Sequence, residues 1–219
     1  MDVIEAIRSR KSIRAYKPDP VPREILREIL EVAARAPSSQ NTQPWEFTVI
    51  AGEVLEKIRQ ANSELFDSRP PQRGGISRTL TGKYRERQIG LAVQLFQLMG
   101  IGREDKQKRT EWMRRGFHYF DAPAVIFIST EKELGESAVF DIGAVAQTIA
   151  LAAMKHCLGT CIQDRSLIYL DVVKKLAGIP ESKRIVVCLS IGYPDWDFPA
   201  NKVYTAREPV DNITVWRGI

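Results

Sequence analysis

Apolar positions recur at helical spacing early in the chain. Ile25, Leu26, Ile29, Leu30 and Ala33 fall on one face of a 3.6-residue repeat, which predicts an amphipathic helix opened by Pro22 and ended by Pro37. Val3, Ile4 and Ile7 predict a shorter helix that stops in the basic run Arg8-Ser9-Arg10-Lys11. Further helices are expected over residues 54–66, 88–99, 103–115, 137–157 and 170–177, the last closed by Gly178 with Pro180 beyond it. Residues 46–50 are rich in β-formers, and residues 124–128 and 185–191 are continuous apolar runs of the kind found in strands covered on both faces. The order of these elements predicts an α+β or α/β chain, one central sheet wrapped in helices.

The helix at 137–157 stands apart because apolar and small residues occupy nearly every face, from Val139 and Phe140 to Ala152 and Met154. Such a helix is expected to be buried all round, in a core or against another subunit. At 1.5 Å per residue it would be about 31 Å long, the width of a small domain, which favours a dimer interface. Its longest apolar stretch, 142–154, is interrupted by Gln147 and falls short of the about 20 residues a bilayer requires, so no membrane partner is expected.

Composition narrows this picture. The 219 residues are 44% apolar, enough for a substantial core, and neither a linker nor a repeat divides them, so a single domain over 1–219 is expected. The net charge is +5, and much of the excess is local. Between residues 67 and 88 stand Arg69, Arg73, Arg78, Lys83, Arg85 and Arg87 against Asp67 and Glu86, a net +4. That stretch reads as a solvated basic loop or as a lid that attracts anions. A nucleic-acid surface would also be basic, but it leaves the polar loop at 38–43 unexplained, and no nucleic acid is expected. Cys157, Cys161 and Cys188 are odd in number, lack a C-x-x-C and sit in apolar segments, so they read as core thiols of a cytoplasmic protein. The amphipathic N-terminus has no apolar leader core.

Two segments carry candidate chemistry. In Arg10-Lys11-Ser12-Ile13-Arg14-Ala15-Tyr16, three cations and a hydroxyl fall within five residues directly after a helix. Forked arginine donors with a short serine donor suit a phosphate; a solvated charged turn is the plainer alternative. In Pro37-Ser38-Ser39-Gln40-Asn41-Thr42-Gln43-Pro44-Trp45, amide and hydroxyl side chains between prolines suit the hydrogen-bonding edge of a flat heterocycle; ordinary turn chemistry is the alternative. No Ser/His/Asp set or carboxylate pair stands out, and His118 and His156 read as packing residues. No side chain is assigned as a catalytic acid or base.

Together, in this order and at this distance, the two segments resemble the nitroreductase family of flavoproteins. The pattern R-x-S-x-R-x-[YF] followed by A-P-S-x-x-N-x-Q-P-W is matched by Arg10, Ser12, Arg14 and Tyr16, then by Ala36, Pro37, Ser38, Asn41, Gln43, Pro44 and Trp45. Asp141-Ile142-Gly143-Ala144 resembles the start of the family's central dimer helix, Leu158-Gly159-Thr160 the turn before the strand along the flavin, and Ser190 to Pro194 the end of a core strand. The resemblance runs from the first helix to about Pro209.

It implies a mixed sheet flanked by helices, in a homodimer whose C-terminal arms, here about 195–219, are exchanged. It also implies two FMN sites in the dimer interface. Arg10, Lys11, Ser12 and Arg14 would meet the FMN phosphate and ring edge, joined by Arg207, while Pro37, Ser38, Ser39 and Asn41 of the second subunit close over the ring. Many relatives follow the Gly-Thr turn with glycines, where this chain has Ile162-Gln163-Asp164-Arg165. Gln163 and Asp164 therefore stand where the family aims a backbone N–H at flavin N5. The implied activity passes reducing equivalents from NADH or NADPH to a small electron-poor acceptor such as a nitroaromatic or quinone. The basic lid suggests an anionic acceptor or the 2'-phosphate of NADPH. Reductive dehalogenation, enoate reduction, flavin fragmentation, or a flavin-binding sensor or storage role are the alternatives on the same cofactor residues.

Overall fold

In the computed structural model, residues 2–69, 80–163 and 167–219 are described. Four strands form one sheet in the order β1-β2-β4-β3: β1 is Glu46–Ala51, β2 Ala124–Glu131, β3 Gly159–Gln163 and β4 Lys183–Gly192. Every pairing among them is antiparallel, which corrects the expectation of a mixed sheet. The parallel element found among the described residues is a single bridge, Ser12 to Thr160.

The strands nevertheless read as continuous apolar runs, because helices cover both faces. Ala124, Ile126 and Ile128 of β2, with Leu189 and Ile191 of β4, pack on one side against α2 (Arg23–Ala33) and α6 (Glu136–Ala152). Val125 and Phe127, with Ile185 and Cys188, face α3 (Gly52–Ser68) and α7 (Leu170–Ala177) on the other. Alternation of side chains along a strand feeds two cores at once, so burial on both faces removes the polar half of the pattern.

The remaining helices are α1 (Val3–Ser9), α4 (Gly82–Leu98) and α5 (Lys106–Phe117). Asp2 caps α1 by accepting from the N–H groups of Ile4 and Glu5, at 2.7 and 3.0 Å. Helix α5 starts three residues later than expected because the Asp105 carboxylate caps it, accepting from Lys108 N–H at 3.1 Å. Helix α4 starts six residues earlier than expected, so Lys83, Arg85 and Arg87 of the basic stretch stand on a helix, and Arg87 pairs with Glu208. Arg73 and Arg78 lie outside the described residues.

Helix α6 departs most from expectation. It is not buried all round: Ala138, Asp141, Ile142, Val145, Ala146, Ile149 and Ala150 form one buried stripe, while Phe140 is 80% exposed and Gly143 and Gln147 lie on the open face. With the 3-10 turn that continues it, Glu136–His156 reaches 21 residues and contains an 18-residue stretch of mean hydropathy 1.5, enough by length and composition for a bilayer span, contrary to the shorter estimate from the apolar stretch. Its buried stripe lies on the sheet, as in the core helix of a globular protein. The turn ends at Cys157, whose left-handed backbone (φ 58°) leaves the residue exposed; Cys161 and Cys188 are buried as expected.

Candidate functional site

The Arg10 to Tyr16 segment is an extended strip laid along the free edge of β3. Ile13 N–H donates to Thr160 O at 2.9 Å, and Lys17 N–H donates to Tyr193 O at 2.8 Å. Ile13, Ala15 and Tyr16 are buried while Arg10, Lys11, Ser12 and Arg14 remain partly exposed, and over Ser12 to Ala15 this is the two-residue period of a strand. The strip is clamped by Asn201, which is 1% exposed. Its Oδ1 accepts from Arg14 N–H at 2.6 Å, and its Nδ2 donates to Ala15 O at 2.8 Å and to Asp195 O at 2.7 Å. Gly159 permits the close approach: a Cβ there would stand 2.4 Å from Ile13 Cγ1 and 2.8 Å from Pro194 Cγ.

Where the strip meets β3 a cavity of about 260 Å³ opens, lined by Arg10, Lys11, Gly159, Thr160, Met154 and Trp196 among others. Lys11 Nζ lies 5.2 Å from the centre of the Trp196 ring, and partial burial lowers its pKa from the usual lysine value. The volume is below the roughly 300–1,000 Å³ of a complete small-molecule site. Half a site fits that size.

The polar loop lies elsewhere. Ser39–Asn41 form a 3-10 turn in which Ser38 Oγ accepts from Gln43 N–H at 3.0 Å. Ser39 N–H donates to Asp141 Oδ2 at 3.2 Å, and Asp141 is only 4% exposed. Gln40, Asn41 and Gln43 all adopt left-handed backbone, at φ 51°, 58° and 47°. None is glycine, so the loop holds its shape at a conformational cost, as loops that present backbone groups to ligands often do.

The two groups of expected cofactor residues are therefore not together in one chain. The loop docks on Asp141 in the N-terminal half of α6, whereas the cavity is lined by Met154 just past its C-terminus. Thirteen residues at 1.5 Å separate them, about 20 Å. Arg10, Lys11 and Ser12 meet at β3, with Arg14 beside them donating to Ser12 O at 3.4 Å. Pro37, Ser38, Ser39 and Asn41 gather at the far end of α6. Gln163 is buried and donates to Ser190 Oγ, so its side chain braces β3 against β4. Asp164 lies outside the described residues. Arg207 is exposed and folds back on its own segment, donating to Thr205 O at 2.9 Å and to Thr205 Oγ1 at 2.8 Å, so the structure does not bring it to the Arg10 to Arg14 strip.

Comparison with known proteins identifies the family. Residues 7–193 match the Nitroreductase family. The chain belongs to that family. A 4-nitrobenzoate reductase of Nocardioides sp. (strain LMS-CY) is 32% identical over 94% of this chain and 85% of its own length. Among solved structures, the FMN- and NADPH-dependent nitroreductase NfnB of Sphigopyxis sp. strain HMH superposes with a TM-score of 0.94 at 29% identity, covering 100% of both chains. The FMN-dependent nitroreductase NfnB of Mycobacterium smegmatis, in complex with NADPH, gives 0.90 at 27% identity, over 98% of this chain and 97% of the other.

Sequence reasoning missed two residues that shape this nitroreductase site. Asn201 lies 187 positions from Arg14 and carries no local signal. Asp141 was legible as part of a motif but not as the carboxylate that holds the polar loop. The reading of His118 as a packing residue is also corrected. It caps the end of α5, and its ring lines a second, larger cavity against α3.

Proposed function

We propose that this nitroreductase-family chain is an FMN-dependent oxidoreductase that takes reducing equivalents from NAD(P)H and delivers them to a small nitroaromatic or quinone, as a homodimer. One observation carries the proposal: two cofactor half-sites at opposite ends of one helix whose outer face is open. If α6 packs antiparallel on its copy about an axis near Gln147, the Pro37 to Asn41 loop of one subunit reaches the Arg10 to Arg14 strip of the other. The exposed Phe140 on α6, Val3, Ile4 and Ile7 on α1, and Val210, Ile213, Val215 and Trp216 near the C-terminus support apolar contact with a partner and an exchanged arm at 195–219.

The residues present fit FMN. Arg10, Lys11, Ser12 and Arg14 offer cationic forks and a hydroxyl to its phosphate; Arg207, which lies away from the strip within one chain, joins only through an exchanged C-terminal arm. Pro37, Ser38, Ser39 and Asn41 close over the ring from the partner. Gln163 braces the end of β3. Bound FMN supplies the hydride-accepting chemistry, and the chain binds, orients and shields it.

The basic residues between 67 and 88 favour an anionic acceptor such as a nitrobenzoate, a choice supported by the 4-nitrobenzoate reductase among the relatives. The NADPH complex of the M. smegmatis protein supports NADPH as donor. Three cysteines outside any disulfide are compatible with a reducing, cytoplasmic setting.

The purified protein should be yellow, run as a dimer, bleach anaerobically with NADPH and oxidise NADPH when 4-nitrobenzoate is added. A colourless protein that cannot be reconstituted with FMN would overturn the proposal. Phe140→Glu should shift the dimer toward monomer and release FMN with it.

A further inference from the structure

Away from the nitroreductase motifs, α3 and the turn after α5 enclose a surface cavity of about 600 Å³, lined among others by Lys57, Gln60, Ser63, His118 and Asp121. Ser63 Oγ and His118 Nε2 lie 2.5 Å apart, a hydrogen bond. The other ring nitrogen, Nδ1, stands 4.0 Å from the Asp121 carboxylate, an electrostatic contact longer than a hydrogen bond. Residues 55 and 58 positions apart from Ser63 are thus brought into a serine, imidazole and carboxylate row that faces open space.

The turn that carries the ring and the carboxylate is held from α3. Arg59 Nε donates to His118 O at 3.1 Å and its Nη2 to Ala122 O, while Asn62 Nδ2 donates to Phe117 O at 2.9 Å. Tyr119, Phe120 and Asp121 all adopt left-handed backbone, at φ 56°, 55° and 60°. Three consecutive non-glycine residues in that region are costly, and the turn they make directs His118 and Asp121 back to one side of the cavity. Burial lowers the His118 pKa from its usual value of 6.5, with Arg59 and Arg114 acting in the same direction against Asp121 and Glu56. The lowered pKa favours the neutral ring at pH 7, and in the tautomer with its proton on Nδ1, Nε2 accepts the serine proton.

We propose that Ser63 is a nucleophile activated by His118 and that this cavity accepts small activated carboxylic esters. Ser63 Oγ attacks the ester carbonyl carbon while its proton passes to His118 Nε2. The carbon–oxygen bond to the leaving alcohol breaks, and the alcohol departs with that proton. Water then attacks acyl-Ser63 while His118 takes its proton, and as the acyl–oxygen bond breaks His118 returns that proton to Ser63 Oγ, releasing the carboxylic acid and free serine. Lys57 and Gln60 are side-chain donors in the same cavity available to the developing oxyanion, and Asp121, whose Oδ2 is paired with Arg115 at 2.8 Å, faces the ring with Oδ1. No electrons are exchanged, so the reaction is independent of the flavin.

The FMN-loaded protein is mixed with 4-methylumbelliferyl acetate, which has no nitro group, in the absence of nicotinamide. A burst of about one equivalent of methylumbelliferone per chain and an acetyl group on Ser63 by peptide mass spectrometry are expected. Ser63→Ala should abolish both while leaving NADPH-dependent reduction of 4-nitrobenzoate unchanged. His118→Gln should slow acylation about 10²–10⁴-fold, the usual contribution of a general base. Ser63→Cys should retain a covalent adduct at this position. Acetyl groups confined to lysines or native cysteines, no adduct at Ser63, or a His118→Gln chain acylating at the parent rate would each overturn the proposal.

Discussion

Replacing Asn201 by alanine tests whether the cation-rich strip is held by one buried amide. The substitution removes three hydrogen bonds and leaves Arg14 N–H, Ala15 O and Asp195 O without those partners, at a site where Asn201 is 1% exposed. Each buried polar group left unsatisfied costs about 1–3 kcal/mol, and relaxation toward solvent keeps the sum near the lower end, about 3–5 kcal/mol. For a chain of this size each kcal/mol shifts Tm by about 2–4 °C, so a fall of about 6–20 °C is expected in a thermal melt. The loss should also reach the cofactor. Freeing Arg14 and Ser12 by even about 1.4 kcal/mol weakens FMN binding tenfold, which flavin fluorescence quenching measures directly. Asn201→Asp separates hydrogen bonding from volume: it preserves shape and the acceptor for Arg14 N–H but turns a carboxylate oxygen on two carbonyl oxygens. The amide argument therefore makes it at least as harmful as alanine. An Asn201→Asp protein that melts within about 2 °C of the parent and binds FMN equally would refute it.

Three further outcomes follow from the same geometry. Gly159→Ala forces a Cβ against Ile13 and Pro194; overpacking of about 1–3 kcal/mol should appear in urea unfolding together with weaker FMN binding, and neither changing would count against the close approach as the reason for glycine. Asp141→Ala removes the acceptor that holds Ser39 N–H and should weaken FMN binding by about tenfold or more, since hydrogen bonds to charged groups contribute about 1.5–3 kcal/mol. Asp141→Asn still offers an amide oxygen and should recover most of the affinity; if it behaves like alanine, the loop is not positioned through that bond. The lowered His118 pKa makes the unfolded chain the stronger proton binder once pH falls below the unfolded value near 6.5, so its contribution to stability is complete above that pH and is lost on acidification toward the folded pKa. Thermal melts across pH 7.5 to 5 should therefore fall more steeply for the parent than for His118→Gln, and parallel profiles would remove His118 as the cause.

Much of this was readable from local pattern, because helices and strands report burial through spacing alone. Helices α1, α2, α3 and α7 stand within a few residues of their expected limits, and β1, β2 and β4 contain the runs expected for them. The cation-rich strip and the polar loop were legible because each is contiguous, so its chemistry is concentrated in a few neighbouring residues. The periodicity of α6 was misleading: small and apolar residues on every face say that all sides can be buried, not which side this chain buries by itself.

What spacing does not encode is where the chain returns. The antiparallel order of the sheet depends on pairings across dozens of residues, and two covered faces make antiparallel strands look like parallel ones in sequence. Asn201 reaches Arg14, and Ser63 reaches His118, only after the sheet and α3 are packed. The largest consequence concerns the cofactor residues. Sequence alone places a cation-rich strip and a polar loop in the chain; packing puts about 20 Å of one helix between them. A rigid helix cannot be shortened to bring its ends together, so within one chain the strip and the loop stay apart.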